Sequence, residues 1–161
     1  MPERHHDTDA GYDIYAAETV ILEPQQKAKI ATDLAVNIPK GYVGLLTSRS
    51  GVSSKTHLVI ETGKIDAGFQ GHMQINIKND MDSSIEAPTK AVLNGERAYS
   101  LLDISGEHIG FSTDMNCYRI NKGDRLAQLV IVPIYTPELQ EVKEFSNETA
   151  RGSKGFGSTG I

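Results

Sequence analysis

Residues 27–38 read KAKIATDLAVNI, and this stretch decides the fold class because apolar and polar side chains alternate along it. A period of two places every second side chain on one face, which is the pattern of a half-buried strand. The side chains that share the apolar face are Ala28, Ile30, Thr32, Leu34, Val36 and Ile38. The sequence therefore predicts a strand over 27–38, ended by the turn Pro39-Lys40-Gly41.

Short apolar runs separated by turn residues lie on both sides of this strand. They predict further strands at 20–22, 42–46, 58–60, 73–77 and 126–135. Pro133 marks a strand end or a bulge in the last run, and the hydroxyl-rich residues 47–56 allow one short helical turn. Because no stretch has a clear 3.6-residue period, we expect an all-β sandwich, barrel or jelly roll.

The length of 161 residues predicts a single domain over 1–161. Residues 80–119 mix charges and glycines with weak apolar runs, and they are much longer than the usual connection of about 4–6 residues. We interpret them as a surface insert, a β-hairpin or a small subdomain. The chain becomes charged after Pro137 and then rich in glycine, so residues 146–161 are predicted to form a C-terminal arm.

The charge balance is acidic, with 16 Lys and Arg against 21 Asp and Glu, a net charge of −5. Duplex-DNA binders usually have the opposite balance, so we expect no direct nucleic-acid binding, and any anion site must be a local patch. The one cysteine, Cys117, excludes an intramolecular disulfide. With no signal peptide and no apolar run of about 18 residues, the sequence predicts a cytoplasmic protein without a membrane segment.

Three polar clusters carry candidate chemistry, and each also has an ordinary structural explanation. Ser48-Arg49-Ser50-Gly51 offers a guanidinium and an approachable backbone for phosphate, or is a solvated turn. In residues 63–71, Asp66 is a candidate to activate a water, or it stabilises a turn. In residues 123–129, Gln128 is the polar residue of an apolar run and needs a partner, while Asp124 and Arg125 are able to pair with each other.

The last residues, Arg151 to Gly160, combine glycines, two cations, hydroxyls and a single aromatic ring, Phe156. This composition suits an arm that closes over a nucleotide polyphosphate, although it is also typical of a disordered terminus. Zinc-site spacing and the P-loop motif are both missing from the sequence. The remaining option is attack by a water, with Mg²⁺ held mainly by substrate phosphates.

Five segments, in order, resemble the five motifs of the trimeric dUTPases (dUTP nucleotidohydrolases). They are Ala10-Gly11-Tyr12-Asp13-Ile14, Arg49-Ser50-Gly51, Gly63 through Gly71, Gly123 through Leu129, and Arg151 through Gly160. The resemblance implies a jelly-roll-like β-barrel, a homotrimer with three shared active sites and a flexible C-terminal arm. The implied reaction is hydrolysis of dUTP to dUMP and pyrophosphate with Mg²⁺ on the triphosphate.

Carried over to this chain, the resemblance implies that Asp66 orients the attacking water and that Asp13 holds hydrated Mg²⁺. Phe69 falls where the family usually has a Tyr that packs on deoxyribose, and Phe156 would stack on uracil. A hairpin from about Leu58 to Phe69 would read uracil through its backbone. The implied substrate-binding residues are Arg49, Ser50, Gly51, Ile60, Gly63, Ile65, Phe69, Gln128, Arg151, Phe156, Gly157, Ser158 and Thr159.

The long segment 80–119 resembles the insert that some staphylococcal phage dUTPases carry, which suggests a phage origin and a second role in binding a repressor protein. One alternative is a protein that works mainly as such a protein-binding regulator. Another is a dCTP deaminase-like enzyme, which shares the fold. Deamination is disfavoured because residues 74–78, where the deaminases place their catalytic Glu, read QINIK and contain no such residue.

Overall fold

The structure is a computed structural model, and it describes residues 1–82, 91–93, 95–112, 115–153 and 155. Strands dominate this part of the chain, with a single short helix, α1 (Ser50–Ser53). The strands are β1 (Gly11–Tyr15), β2 (Val20–Leu22), β3 (Lys27–Ala31), β4 (Tyr42–Ser48), β5 (Leu58–Ile60), β6 (Gly63–Asp66), β7 (Gln74–Asn79), β8 (Ala91–Leu93), β9 (Glu96–Leu102), β10 (His108–Ser112), β11 (Cys117–Ile120) and β12 (Arg125–Pro133). The expected all-β fold is confirmed.

Within the described residues, the strands form three sheets that enclose one core. Their orders are β1-β12-β4-β6, β10-β9-β11-β2 with β8 added beside β9, and β3-β7-β5. Each sheet contributes fully buried side chains to the same cluster, for example Ile14, Ile75 and Ile120. A shared core of this kind holds the edges of the three sheets in fixed positions relative to one another.

Strand β12 is the centre of the first sheet. It pairs antiparallel with β1 on one side and with β4 on the other, in a register that runs from Ala127 opposite Ser48 to Pro133 opposite Tyr42. Leu126, Ala127 and Leu129 are buried. Pro133 is the last residue of the strand, as predicted, which is where a missing N–H disturbs the ladder least.

Strand β3 is shorter than the alternating pattern predicted, because it ends at Ala31. Asp33 has a φ of 54°, a left-handed conformation that interrupts an extended strand. The alternation of burial nevertheless continues beyond this point: Ile30, Thr32 and Ile38 are buried. The sequence pattern therefore identified the buried face correctly and the strand length incorrectly.

Strands β8, β9 and β10 fall in the segment predicted as an insert. Strand β9 pairs antiparallel with β8 and β10 and parallel with β11. The turn after β9 reaches the body of the protein at Gly106. A Cβ added there would lie 2.5 Å from the carbonyl oxygen of Lys55, just after α1. This part of the segment is therefore connected to the body in two places: through β11, and through Lys55, two residues after the end of α1.

No helix in the described part of the chain is long and apolar enough to cross a membrane. The cytoplasmic location expected from the sequence stays a prediction.

Candidate active site

The first polar group surrounds the carboxylate of Asp13 on β1, whose side chain is 4% exposed. Its Oδ1 atom accepts hydrogen bonds from Arg49 Nε at 2.9 Å and from Gln128 Nε2 at 3.3 Å. Its Oδ2 atom accepts one from Arg125 Nη1 at 3.4 Å. We call Asp13, Arg49, Arg125 and Gln128 the Asp13 cluster. Because an unpaired buried carboxylate is very costly, these donors are what make the burial of Asp13 tolerable.

Three neighbouring strands bring the Asp13 cluster together. Asp13 lies opposite Gln128 on β12, and Gln128 lies opposite Thr47 on β4, which Arg49 follows two residues later. Gly11 allows β1 and β12 to lie close at this point, since a Cβ added there would lie 3.0 Å from Gln128 Cβ. The register of the first sheet therefore assembles residues that are far apart in the sequence.

A cavity of about 360 Å³ lies beside the Asp13 cluster. Arg49 and Gln128 line it, together with His5 and other residues of the N-terminal segment. His5 Nε2 lies 3.8 Å from Asp13 Oδ2 and is in contact with Arg125 Nη1. The cavity thus has cationic, carboxylate and amide groups on its walls, the combination that binds phosphate oxygens and the cations that accompany them.

Arg125 and His5 belong to this site, although neither is among the residues predicted from the sequence to bind substrate or metal. Arg125 points to Asp13 rather than to its neighbour Asp124, whose Oδ2 accepts a hydrogen bond from the Asn121 N–H at 2.7 Å. The Asp124–Arg125 pair considered from the sequence is therefore not formed. The position of Arg125 within the motif-like segment Gly123 through Leu129 is the sequence signal that pointed to it.

Arg49 also begins the short helix α1, where it is the N-cap residue, and its carbonyl accepts hydrogen bonds from the N–H groups of Val52 and Ser53. Val52 is 2% exposed and anchors this turn in the core. Ser50 and Gly51 are exposed, and their N–H groups have no acceptor among the described residues. The three residues predicted to bind phosphate are thus consecutive and adjacent to the cavity, with free backbone donors.

Asp66 lies at the end of β6 and starts a tight turn. The Phe69 N–H donates to the Asp66 carbonyl oxygen at 3.1 Å, and Gly68 has a φ of 97°, which glycine adopts without strain. The side chain of Asp66 is exposed, and among the described residues nothing hydrogen-bonds its carboxylate. Phe69 is 44% exposed. We call residues 66–71 the Asp66 turn.

Residues 58–69 do not form the expected hairpin. Strand β5 pairs with β7 in the third sheet, whereas β6 pairs with β4 in the first. The side chain of Ile60 is 8% exposed, so it is part of the core, while Gly63 and Ile65 are half buried. The prediction is wrong in its pairing because the chain passes from one sheet to another between the two strands.

Asp66 and Asp13 lie far apart in one chain, although both were predicted to serve one site. Asp66 is opposite Val43 on β4, and Asp13 is in register with Thr47 through β12. The two positions are four residues apart along the strands and three strand spacings apart across them, which is about 20 Å. One chain therefore carries two separate halves of the predicted site.

Arg151 lies in an exposed turn, where the Gly152 N–H donates to the Thr149 carbonyl oxygen at 3.0 Å. The predicted residues Phe156, Gly157, Ser158 and Thr159 lie outside the described residues. Every described residue from 133 onward is exposed, and the last backbone hydrogen bond to the body runs from the Ile134 N–H to the Gly41 carbonyl oxygen. The chain therefore leaves the body at about Ile134.

No group of three or more His, Cys, Asp or Glu side chains in the described part of the chain is arranged to hold a metal ion. Asp13 is the buried carboxylate at the cavity, and its oxygens are already bound by arginine and amide groups. A metal held mainly by the phosphates of a substrate, with one protein carboxylate nearby, is compatible with this arrangement.

The all-β fold, the cavity lined by Arg49, Gln128 and carboxylates, and the exposed carboxylate on a glycine turn are compatible with one class of protein: nucleotide-binding proteins that act on phosphate groups. The family model described as dUTPase matches residues 1–93 and 109–160. The chain belongs to the dUTPase family. Its activity is that of a dUTP diphosphatase, and the membership favours dUTP hydrolysis over the deamination considered from the sequence.

Among curated relatives, the deoxyuridine 5'-triphosphate nucleotidohydrolase of Mycobacterium marinum is 36% identical over 166 residues, which span 99% of this chain and 87% of the relative. Among solved structures, a dUTPase of Staphylococcus bacteriophage 80alpha with dUpNHpp has a TM-score of 0.87 and 59% identity, over 100% of this chain and 92% of that one. A dUTPase of Staphylococcus aureus phage phi11, described with a structural Mg(II) ion, has a TM-score of 0.77 and 59% identity, over 91% and 92% of the two chains. The resemblance to staphylococcal phage dUTPases is confirmed.

Proposed function

We propose that Asp66 is the general base of dUTP hydrolysis. Its carboxylate accepts a proton from a water, whose oxygen attacks the α-phosphorus and breaks the bond to the β-phosphate, giving dUMP and pyrophosphate. The exposure of Asp66 on a tight turn supports this role, because its oxygens remain available to a water. A base whose lone pairs were occupied by protein donors would be a poor acceptor of that proton.

The Asp13 cluster is the proposed holder of the triphosphate. Arg49 supplies a guanidinium whose Nε is fixed by Asp13, so that the group is pre-oriented before substrate arrives. Ser50 and Gly51 add exposed backbone donors at the first turn of α1, and Gln128 is a further contact. The solved 80alpha phage dUTPase with dUpNHpp supports a triphosphate as the ligand.

Mg²⁺ is the proposed cofactor, and Asp13 is the residue that would hold it through water. One buried carboxylate beside a cavity of about 360 Å³ fits a hydrated ion bound chiefly by substrate phosphates. When bound, Mg²⁺ would neutralise charge on the triphosphate. The report of a structural Mg(II) ion in the phi11 phage dUTPase supports the affinity of a related protein for this ion.

A homotrimer with shared active sites is the proposed assembly. The separation of about 20 Å between Asp13 and Asp66 supports it, because the two halves of the site meet only if they come from different subunits. The segment after Ile134 supports it as well: Tyr135, Leu139 and Phe145 are 89%, 95% and 90% exposed. Apolar side chains on an extended segment are expected to pack against another copy.

Substrate recognition is proposed to use Phe69 and the C-terminal arm. The exposed ring of Phe69, next to the proposed base, is available to pack on deoxyribose and exclude a 2′-hydroxyl. Backbone groups of Ile60, Gly63 and Ile65 are the proposed readers of uracil. Arg151 and the residues around Phe156 would then order over the bound nucleotide and exclude water.

The observation that carries this proposal is the pairing of Arg49 with Asp13 at the wall of the cavity. The experiment is pyrophosphate release from dUTP, dTTP, dCTP and UTP, with and without Mg²⁺. We expect release only with Mg²⁺, and much faster from dUTP than from the other three nucleotides. Ammonia from dCTP would favour the deaminase alternative, and release without any divalent ion would contradict the role of Mg²⁺.

We also propose a second, regulatory role through the segment 80–119, in which the protein binds a repressor. The family model leaves out residues 94–108, which supports an insertion relative to the family. Val92, Ile109 and Phe111 expose 70%, 37% and 43% of their surfaces there, and exposed apolar groups favour protein binding. The 80alpha phage dUTPase is described as controlling the transfer of virulence genes, and that of phage 80 as having SaPI-inducing capacity.

Replacing both Ile109 and Phe111 with Asp tests the regulatory role. The two residues lie on β10 in the second sheet, whereas Asp13 and Asp66 lie on strands of the first. We expect SaPI-inducing capacity to fall while pyrophosphate release from dUTP is unchanged. A double variant that induces as well as the starting protein would exclude this surface as the binding site.

A further inference from the structure

The ring of Phe69 occupies the space beside Gly71 that a side chain at position 71 would need. A Cβ added at Gly71 would lie 2.7 Å from Phe69 Cζ and 3.0 Å from Cε2. Real Cβ atoms essentially never approach other atoms as closely as 2.7 Å. The absence of a side chain at Gly71 therefore leaves open the space in which the ring lies.

The requirement for glycine at position 71 comes from the ring and not from the backbone. Gly68, in the same turn, has a φ of 97° and nothing within 4 Å of an added Cβ, so its conformation alone favours glycine. Gly71 is the reverse case: its φ lies outside the left-handed region, and the ring of Phe69 fills the space. An alanine at 71 would be tolerated by the main chain and would displace the ring.

Phe69 lies at the surface. The residue is 44% exposed, and its N–H is tied into the turn that begins at the proposed base Asp66. A side chain with two torsions on a short turn has several positions open to it unless a neighbouring surface selects one. The glycine at 71 leaves open the position that the ring adopts.

We propose that Gly71 is a positioning residue for sugar selection: it seats the Phe69 ring where the ring packs on deoxyribose and leaves no room for a 2′-hydroxyl. This inference rests on the proposed contact of Phe69 with the sugar. Displacement of the ring by an alanine methyl group at 71 opens that space. Selection against one added hydroxyl in an apolar contact is worth up to about a hundredfold, so a partial loss is measurable.

The test compares kcat/KM for dUTP and UTP in Gly71→Ala by pyrophosphate release. We expect the preference for dUTP over UTP to fall roughly tenfold, mainly because kcat/KM for UTP rises as space for its 2′-hydroxyl opens. Gly110→Ala is the matched control, because the nearest atom to its added Cβ, Leu101 Cδ2, is 4.0 Å away. The control should keep the preference, and thermal unfolding should confirm that both variants are folded.

A double-mutant cycle separates action through the ring from any other effect. Phe69→Ala should lower the preference, and adding Gly71→Ala to it should change nothing further. If Gly71→Ala lowers the preference for dUTP over UTP by the same factor whether residue 69 is Phe or Ala, the proposed positioning of the ring by Gly71 is excluded. If Phe69→Ala lowers the preference and a folded Gly71→Ala does not, this inference fails while the role of Phe69 stands.

If Phe69→Ala leaves the preference unchanged, the proposed role of Phe69 fails, and the present inference fails with it. A further measurement keeps Gly71 unchanged, so a folding defect of the Gly71→Ala variant does not affect it. The Hα protons of Gly71 should show a ring-current shift in the NMR spectrum that Phe69→Ala removes. Random-coil shifts for these protons would show that the ring does not rest on Gly71.

Discussion

The Nε atom of Arg49 donates to the Oδ1 atom of Asp13 at 2.9 Å, although 36 residues separate the two in the chain. The pair joins the end of β4 to β1 across the central strand β12. Asp13 is almost completely buried and Arg49 is 24% exposed, so one partner is fixed in the fold and the other faces the cavity. The pair therefore links the stability of the sheet to the orientation of a guanidinium at the proposed phosphate site.

Replacing Arg49 with Ala should lower both stability and activity. The Asp13 carboxylate would keep Arg125 and Gln128 but lose its shortest charged hydrogen bond, which is worth about 1.5–3 kcal/mol. Urea unfolding measures the first effect and kcat/KM for dUTP the second. Lys27→Ala, which breaks an exposed pair with Glu61, is the control and should change neither. Equal unfolding midpoints for Arg49→Ala and the unmodified protein would contradict this account.

Asp66→Asn should abolish most turnover without preventing nucleotide binding. Loss of a general base usually costs about 10²–10⁴-fold in rate, while an amide of the same shape leaves the turn intact. Pyrophosphate release measures the rate, and calorimetric titration with dUpNHpp measures binding. Asp33→Asn removes an exposed carboxylate in a left-handed conformation that Asn also accepts, and it should behave like the unmodified protein. Unchanged turnover in Asp66→Asn would eliminate Asp66 as the base.

Ending the chain at Ala150 should leave a folded protein that turns over slowly. The described residues from 151 onward are exposed, so their removal uncovers no core. We expect the melting temperature to stay the same and kcat/KM for dUTP to fall by at least about tenfold, because positioning groups over the substrate are lost. Removing Ile161 alone is the control. Full activity without residues 151–161 would mean that the arm plays no part in catalysis.

The turn that follows β9 should contribute to stability in a pH-dependent way. Burial by itself raises the pKa of the Asp103 carboxyl, but hydrogen bonds from Ser105, Glu107 and Gly106 outweigh it, so the pKa lies below its usual value of 3.8. A lowered pKa in the folded state means that the stabilisation is complete above the unfolded pKa and is lost as the pH falls through the folded pKa.

Asp103→Asn should therefore unfold at a lower temperature than the unmodified protein at neutral pH, and the difference should shrink below about pH 4. Thermal unfolding across this range measures it. Asp33→Asn is again the control, since its carboxylate has no hydrogen bond among the described residues. A destabilisation by Asp103→Asn that is independent of pH would show that the carboxylate charge is not what holds the turn.

Local patterns were sufficient to predict the all-β fold class. The alternation over 27–38 identified the buried face, because burial on one side of a strand depends on a period of two. The end of β3 was not predictable in the same way, since the left-handed conformation of Asp33 has no marker in the alternation. Asp is one of the residues that adopt this conformation, but it also occurs within regular strands.

Sequence patterns did not predict the side-chain contacts that depend on register and on irregular turns. The contact between Arg125 and Asp13 depends on the register of β1 against β12. A shift of one residue in that register would point Asp13 to the opposite face of the sheet. The contact between Phe69 and Gly71 likewise depends on a side-chain torsion in an irregular turn. Motif order suggested a set of candidate site residues, and the strand register determined which of them lie together.

The distance of about 20 Å between Asp13 and Asp66 has a genetic consequence. If each site draws its two carboxylates from different subunits, a chain lacking one and a chain lacking the other are both inactive alone. Co-assembly of Asp13→Asn with Asp66→Asn would then recreate some sites in which both carboxylates are present. Two defective alleles expressed together would complement each other, and activity would return on mixing unfolded chains and refolding them as one population.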